Sequence, residues 1–254
     1  MDDFFCVVPA RENSKRLPRK LLLKLFGREV LIHTVSSCIR SRAKKVFVAT
    51  DSDRIKNTVL RFKDSLPRNL AEKLDVFVVR GKDIKSGSDR VGKLIQILKQ
   101  EGVKIPGIVV NVQGDEPLIT PHIINSVVLS LARDKRADIA TYGFWSSEKT
   151  EYMNPNRVKI VVDPQGFAIY FSRSQIPFGA EKYILHAGIY AFRTDALFKF
   201  LKMKQTENEK KEKLEQLRAI DNSMKIKVFV GSKKLIPVDT DQDIKTIIKS
   251  AKLD

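Results

Sequence analysis

The sequence predicts an α/β fold: a Rossmann-like, mostly parallel sheet flanked by helices, with a smaller β-rich lobe. Three observations carry that expectation. Apolar runs recur through the first half of the chain, "FFCVV" at 4–8, "VFVAT" at 46–50, "VFVV" at 76–79 and "IVVNV" at 108–112. Segments of helical period separate them. After about residue 140 the rhythm changes to closely spaced strand-like runs. Alternating strands and helices imply βαβ units and a parallel sheet. Near-continuous apolar strands imply burial on both faces.

Each element follows from its own pattern. "SDRVGKLIQILKQEG" puts Val91, Leu94, Ile95 and Leu98 on one helical face, with Ser88 as the expected N-cap and Gly102 as the stop. "PHIINSVVLSLARDK" does the same with Ile124, Val127, Val128 and Leu131. Beyond residue 140, "IATYGF", "RVKIVVD", "FAIYFSR" and "GIYAFR" read as strands, and "DPQG" at 163–166 is a turn between two of them. "TENEKKEKLEQLR" (206–218) reads as an exposed helix and "KIKVFV" as one more strand. "DTDQDIKTIIKSAK" predicts a last helix that buries Ile244, Ile247, Ile248 and Ala251. No internal repeat or flexible linker interrupts this order. The expectation is one domain over 1–254: a core at about 1–140, the β-rich lobe at about 141–225, and a return to the core at 226–254.

Composition bounds the function. A chain of 254 residues that is 43% hydrophobic and 30% charged is globular, neither disordered nor collagen-like. There are 47 Lys+Arg against 30 Asp+Glu, a formal charge of +17, which favours anionic partners: nucleic acid, a membrane surface or a phosphorylated small molecule. No apolar run reaches the roughly 18 residues of a membrane span. The N-terminus, with Asp2 and Asp3 before a short apolar run, does not read as a secretory signal. Cys6 and Cys38 form no disulfide framework and no metal spacing. A reducing, cytoplasmic compartment is expected.

Ligands of open α/β sheets bind at the carboxyl ends of the strands, and three unusual stretches fall there. The first, "VVPARENSKRLPRKLL" (7–22), leaves a buried strand and carries Arg11, Lys15, Arg16, Arg19 and Lys20 before any glycine. A loop without glycine must hold an anion through side chains, and Arg11, Arg16 and Lys20 can clamp a polyphosphate, the arginines bidentately. A plain basic surface loop is the alternative. The second, "VNVQGDEPLI" (110–119), ends a buried strand in Gln113, Asp115 and Glu116. An acid there suits Mg²⁺, a hard ion that takes oxygen ligands. Asp115 is the favoured ligand; Glu116 is the structural acid, or a cap for the helix after Pro121. In the third, "PVDTDQD" (237–243), Asp239 is either a second metal ligand or part of a helix start in which Thr240 and Asp243 form a capping box.

Together these stretches resemble a known family. Pro9, Ala10, Arg11, Ser14, Arg16, Leu17, Lys20 and Leu22 match the P-A-R-x-x-S-x-R-L-x-x-K-x-L opening of the sugar-acid cytidylyltransferases. "ATDSDRI", "SGSDRV", "NVQGDEPLI", "YFSRSQIP", "HAGIYAFR", "LEQLR" and "VDTDQD" follow in order, from about residue 5 to 245. "QGDEP", "HxGIY" and "LEQLR" in that order are specific to the branch acting on 3-deoxy-D-manno-octulosonate (Kdo).

The resemblance implies a fold of the nucleotide-diphospho-sugar transferase type. It implies Mg²⁺-dependent transfer of CMP from CTP to the 2-hydroxyl of Kdo, giving CMP-Kdo and pyrophosphate for lipopolysaccharide synthesis. It also implies roles. Arg11, Arg16 and Lys20 form the triphosphate clamp, with Ser14 beside them. Pro9, Ala10, Asp51, Ser86, Asp89 and Arg90 surround the cytidine. Asp115 and Asp239 hold the metal, and these two acids with Arg11 and Lys20 carry catalysis. Gln113, His186, Tyr190, Glu215 and Gln216 face the sugar acid, with Arg173 at its anionic end. Glu212, Glu215 and Gln216 share a helix face at i, i+3, i+4. His186 is the best candidate if a side-chain base is needed. The family implies a homodimer through the lobe, with no nucleic-acid or membrane partner.

The match departs at three places. Glu12 and Asn13 are closer to the nonulosonate cytidylyltransferases, the segment 177–186 is short, and Ser88–Asp89 replaces a Thr–Glu pair. The alternatives are therefore a cytidylyltransferase for 8-amino-Kdo or a nonulosonate, and, more remotely, a nucleic-acid-binding protein or a non-catalytic relative.

Overall fold

A computed structural model describes residues 3–14, 16–81, 84 and 86–250. Strands β1 (Phe4–Ala10), β4 (Lys45–Thr50), β5 (Leu74–Val78), β6 (Ile108–Val112), β7 (Ile139–Ser146), β10 (Tyr183–Arg193) and β11 (Ile226–Gly231) lie in the order β11-β7-β10-β6-β1-β4-β5. β10 alone in this order runs antiparallel to its neighbours, β6 and β7. β8 (Lys159–Val162) pairs with the start of β10, and β9 (Ala168–Ser172) pairs with β8. A small hairpin of β2 (Lys24–Leu25) and β3 (Arg28–Glu29) follows the basic loop.

The central strands are apolar on both sides because both sides are covered. Phe4, Cys6, Val8 and Ala10 of β1 face one layer, which includes α1 (Val30–Arg40), α2 (Asp53–Asp64), α5 (Pro121–Arg133) and α10 (Asp241–Ser250). Phe5 and Val7 face the other, with α4 (Gly87–Gln100), α7 (Thr194–Lys202) and α9 (Gln216–Asp221). Short helices α3 (Arg68–Ala71), α6 (Lys149–Met153) and α8 (Glu207–Glu212), with a 3₁₀ turn at Lys20–Leu22, complete the chain. The mostly parallel sheet flanked by helices agrees with the expected fold. Val91, Leu94, Ile95 and Leu98 are buried as the period requires, and so are Ile124, Val127, Val128 and Leu131. Ile247 is fully buried and Ile244 and Ile248 are packed against the core; Ala251, like Lys15, lies outside the described residues.

Two expectations are corrected. α4 is capped at Ser86, not Ser88: the Ser86 hydroxyl accepts from the Asp89 amide at 3.1 Å while the Asp89 carboxylate accepts from the Ser86 amide at 2.9 Å. The capping box satisfies two helix-end donors at once, so it outcompetes a lone serine two residues on. The second correction is the stretch 206–218, which is two helices and not one. α8 ends at Lys213, whose φ of 57° is left-handed, and α9 begins after Glu215. The stretch is not solvated throughout. Arg218 binds Glu209 through two hydrogen bonds, 2.8 and 2.5 Å, with both side chains at most 6% exposed. The Arg218 guanidinium also lies 4.7 Å from the Phe200 ring.

This buried pair fastens α8 to α9 and sets both against Phe200 of α7. We expect Glu209→Ala to cost about 3–5 kcal/mol, because it strands a buried guanidinium. Urea unfolding checks this; a loss below about 1 kcal/mol would show that water reaches Arg218.

Candidate active site

The carboxyl edge of the sheet gathers residues far apart in sequence. β1 ends at Ala10 and delivers Arg11; β6 ends at Val112 and delivers Gln113, Gly114 and Asp115. The Val238 amide donates to the Asp115 carbonyl at 2.9 Å, which brings Asp239 alongside Asp115. Lys20 then places its ammonium between the two acids, hydrogen-bonded to Asp115 and at 2.8 Å from Asp239 Oδ1. Arg16 reaches the same Asp239 oxygen at 3.0 Å. Burial by itself lowers the Lys20 pKa, but the two carboxylates outweigh it and hold the amine protonated. Burial likewise works against the Asp239 carboxylate; Lys20, Arg16 and Arg157 outweigh it and keep the group ionised. Thr240 and Asp243 form the expected cap of α10, at 3.3 and 2.8 Å, so the cap and the Asp239 cluster coexist.

Two cavities adjoin here, of about 370 and 710 Å³, and share Arg11, Arg16, Gln113 and Lys213. They are two halves of one cleft. Pro9, Ser14, Lys20 and Asp115 line the larger half. Arg173, His186, Tyr190, Glu215, Gln216 and Asp239 line the smaller. Ala10, Asp51, Ser86, Asp89 and Arg90 line neither. Asp51 accepts from the Glu12 amide at 3.1 Å and from Arg90 at 3.1 Å, so it braces the basic loop from behind. Arg90 is 4% exposed and also binds the Val79 carbonyl. Glu12 is taken up by Ser52, Arg54 and Arg19, outside the smaller half. This departure from the family pattern therefore tunes the brace and not the wall of the smaller half.

β10 supplies the floor of the smaller half through an irregularity. Its pairing with β7 shifts between Ala187 and Tyr190, and a bulge of this kind re-aims side chains. Within it, the Gly188 amide donates to Glu116 Oε1 at 2.7 Å and its carbonyl accepts from the Gln113 amide at 2.8 Å. A Cβ on Gly188 would lie 2.8 Å from Gln113 Cγ, so only glycine lets the strands approach this closely. His186 and Tyr190 flank the irregularity, ring centroids 5.2 Å apart. The Thr141 hydroxyl lies 2.7 Å from the Ile189 carbonyl and 2.9 Å from His186 Nε2. A carbonyl only accepts, so the hydroxyl donates there and receives the proton of His186 Nε2. The ring is thus the Nε2–H tautomer with Nδ1 as acceptor, and burial drops its pKa to about 3.

Sequence reasoning missed several groups. Arg157 lines the smaller half and pairs with Asp243 at 2.8 Å and Glu151 at 3.0 Å. Asn156 accepts from Arg16 at 2.7 Å. Lys213 enters both halves because its left-handed conformation breaks the helix there. "NPNR" signals only a turn, and no local pattern ties it to the site. Glu212, expected on one face with Glu215 and Gln216, instead holds Ser172 at 2.5 Å and the Arg173 amide at 2.9 Å. Burial pushes the Glu215 carboxyl up, and the nearby Ser88 and Ser86 hydroxyls at the start of α4 work against that shift.

A cation-rich, glycine-poor loop thus faces two carboxylates at the carboxyl edge of this sheet, where open α/β folds bind their ligands. The chain belongs to the cytidylyltransferase family, whose model matches residues 5–226. It is 35% identical to a 3-deoxy-manno-octulosonate cytidylyltransferase of Thermodesulfovibrio yellowstonii, with 96% of each chain covered. It is 34% identical to the enzyme of that name from Fusobacterium nucleatum, over 98% of this chain and 97% of that one. Among solved structures, a CMP:2-keto-3-deoxy-manno-octonic acid synthetase complexed with CTP matches at TM-score 0.82 and 30% identity, covering 99% of each chain. A cytidylyltransferase from Leptospira borgpetersenii shares the fold at TM-score 0.60 and 18% identity, over 99% of this chain and 87% of that one.

Glu116 gives a pH test of this geometry. It is 2% exposed, and its second oxygen has no hydrogen-bond partner among the described residues. Burial, then the neighbouring Asp115 charge, pushes its pKa up to about 8 against the Gly188 hydrogen bond. The folded protein therefore keeps a proton that the unfolded chain releases above about pH 4.5, and stability falls as pH rises towards 8. In metal-free buffer, Glu116→Gln should gain on the parent by a few kcal/mol, in order of magnitude, across that window. Unfolding curves that stay parallel from about pH 5 to 8 would rule out a buried, protonated Glu116.

Proposed function

We propose that the chain transfers CMP from CTP to the 2-hydroxyl of Kdo, releasing pyrophosphate, and that the reaction requires Mg²⁺. The carrying observation is Lys20 held between Asp115 and Asp239, beside Arg16, at the join of the two cavity halves. The larger half would take CTP, its phosphates met by Arg11, Arg16 and Lys20; the smaller would take the sugar acid. Arg157 and Arg173 provide cations for its carboxylate, and Gln113, His186, Tyr190, Glu215 and Gln216 provide hydrogen-bonding groups.

Asp115 and Asp239 fit a divalent ion. They are hard oxygen donors close enough to share one ammonium, Asp115 lining the larger half and Asp239 the smaller, at their join. Among the described residues no third acid or histidine joins them, which suits Mg²⁺, an ion commonly held by one or two carboxylates plus substrate phosphates and water. When bound, the ion would neutralise phosphate charge and acidify the attacking hydroxyl.

The reaction itself is an in-line displacement. The sugar 2-oxygen forms a bond to the α-phosphorus, the bond to pyrophosphate breaks, and the hydroxyl proton passes to solvent. Positioning and charge neutralisation carry such a step. His186, with a pKa near 3, is too weak a base to take that proton at neutral pH. Its Nδ1 is an acceptor that orients a sugar hydroxyl. The β-rich segment also supplies the surface for the homodimer we propose, and a cytoplasmic setting fits a substrate such as CTP.

Pyrophosphate release with CTP and Mg²⁺, offering Kdo, 8-amino-Kdo and N-acetylneuraminate in parallel, tests the reading. Release should be fastest with Kdo, should stop with EDTA, and should fall by about 10²-fold or more in Asp115→Ala. Release with another sugar acid alone would move the substrate while keeping the chemistry; release with none would remove the transferase reading.

A further inference from the structure

The ammonium of Lys159 lies wholly inside the protein, at the first residue of β8, and its side chain is 0% exposed. A buried strand position ordinarily takes valine or isoleucine, and an ammonium there is unfavourable unless its protons are all bonded. Here each has an acceptor. Nζ donates to the carbonyls of Asn154 at 3.1 Å, Arg157 at 2.7 Å and Arg173 at 2.7 Å. Three protons meet three backbone oxygens.

Those three oxygens belong to the two segments that build one wall of the smaller cavity half. The turn 154–157 carries Asn156 and Arg157, and Arg173 follows β9. The segments also touch each other, since Arg173 donates to the Pro155 carbonyl at 3.0 Å. Lys159 pins both from below, on the backbone, while the side chains line the cavity, Arg157 paired with Glu151 and Asp243 and Arg173 donating to the Glu212 and Pro155 carbonyls. Asn156, Arg157 and Arg173 do not line the larger half.

We propose that Lys159 is a positioning residue for the sugar acid: its ammonium fixes the backbone of Arg157 and Arg173 so that their guanidinium groups meet the substrate carboxylate. This rests on the reading of the smaller half as the sugar site. A methionine would fill the same volume and strand three carbonyls, letting two cations drift relative to one another. Displacement of about 1 Å at such a clamp costs up to about a hundredfold in rate. The effect falls chiefly on the sugar acid, because the phosphate-binding side chains Arg11, Arg16 and Lys20 stand on the loop after β1, where Arg16 alone reaches the pinned turn, through Asn156.

The test is a KM comparison for both substrates in Lys159→Met, with Lys159→Gln as a second, still hydrogen-bonding variant should the first fail to fold. We expect the KM for Kdo to rise about tenfold or more, and the KM for CTP to stay within about threefold. In Lys159→Gln the rise for Kdo should be smaller and in the same direction. Equal changes in both KM values, or a lowered melting temperature with both KM values unchanged, would make Lys159 a purely structural residue and overturn the inference. Absence of turnover by the unaltered enzyme with Kdo would instead sink the sugar reading, and this inference with it.

Discussion

The site depends on one electrostatic arrangement: an ammonium lodged between two carboxylates that would otherwise repel. Asp115 leaves a buried strand and Asp239 precedes the last helix, and the Val238–Asp115 backbone bond forces them together. Two partly buried like charges at that range are unfavourable, so the fold needs a cation there. Lys20 supplies it, and in doing so draws the glycine-free loop across the cleft. Arg16 follows onto Asp239 and Asn156. The loop's cations thus have a structural role before any substrate arrives, and the polyphosphate clamp we propose uses the same groups.

Much of the fold was legible because its signals are local and redundant. An apolar run such as "IVVNV" ends in polar residues, and its period and length both say buried strand. The acids at 115 and 239 were legible through position, each standing where an apolar run stops. The cap of α4 was misread by two residues because Ser86 and Ser88 carry the same propensity; only the reciprocal bond from Asp89 separates them. The break at Lys213 was illegible for a related reason. Nothing in "EKKEKLEQLR" disfavours helix, and the kink is imposed by tertiary partners: Glu212 bonds to Ser172 and Arg173, and Glu209 to Arg218.

The residues missed at the site share a further property. Arg157, Asn156 and Lys213 enter the cleft from turns and a helix break, and their neighbours there come from distant segments. Arg157 meets Asp243, and Asn156 meets Arg16. A cation in a turn reads as solvated surface, which is the commoner fate of such residues. Lys159 is the extreme case. In "VKIVV" it breaks an otherwise apolar strand and looks like an outward-facing lysine, yet it is buried and bonded to three carbonyls.

The two halves of the cleft use ionisable groups in opposite ways. Around the larger half, Lys20 stays charged, its ammonium stabilised by neighbouring carboxylates. In the smaller half, burial pushes the floor groups towards neutrality. His186 falls to about 3, Tyr190 is held well above its ordinary value, and Glu215 is raised by burial against the opposing pull of the Ser88 and Ser86 hydroxyls. Neutral donors and acceptors suit a polyol, because they bond hydroxyl groups without the cost of desolvating a full charge. Of the charges that remain on that side, Arg157 and Arg173 come from the wall that Lys159 holds, while Arg11, Arg16, Lys213 and Asp239 stand towards the larger half. A substrate with many hydroxyls and one carboxylate matches that division, whereas nucleic acid, charged at every residue, would need cations along the whole floor.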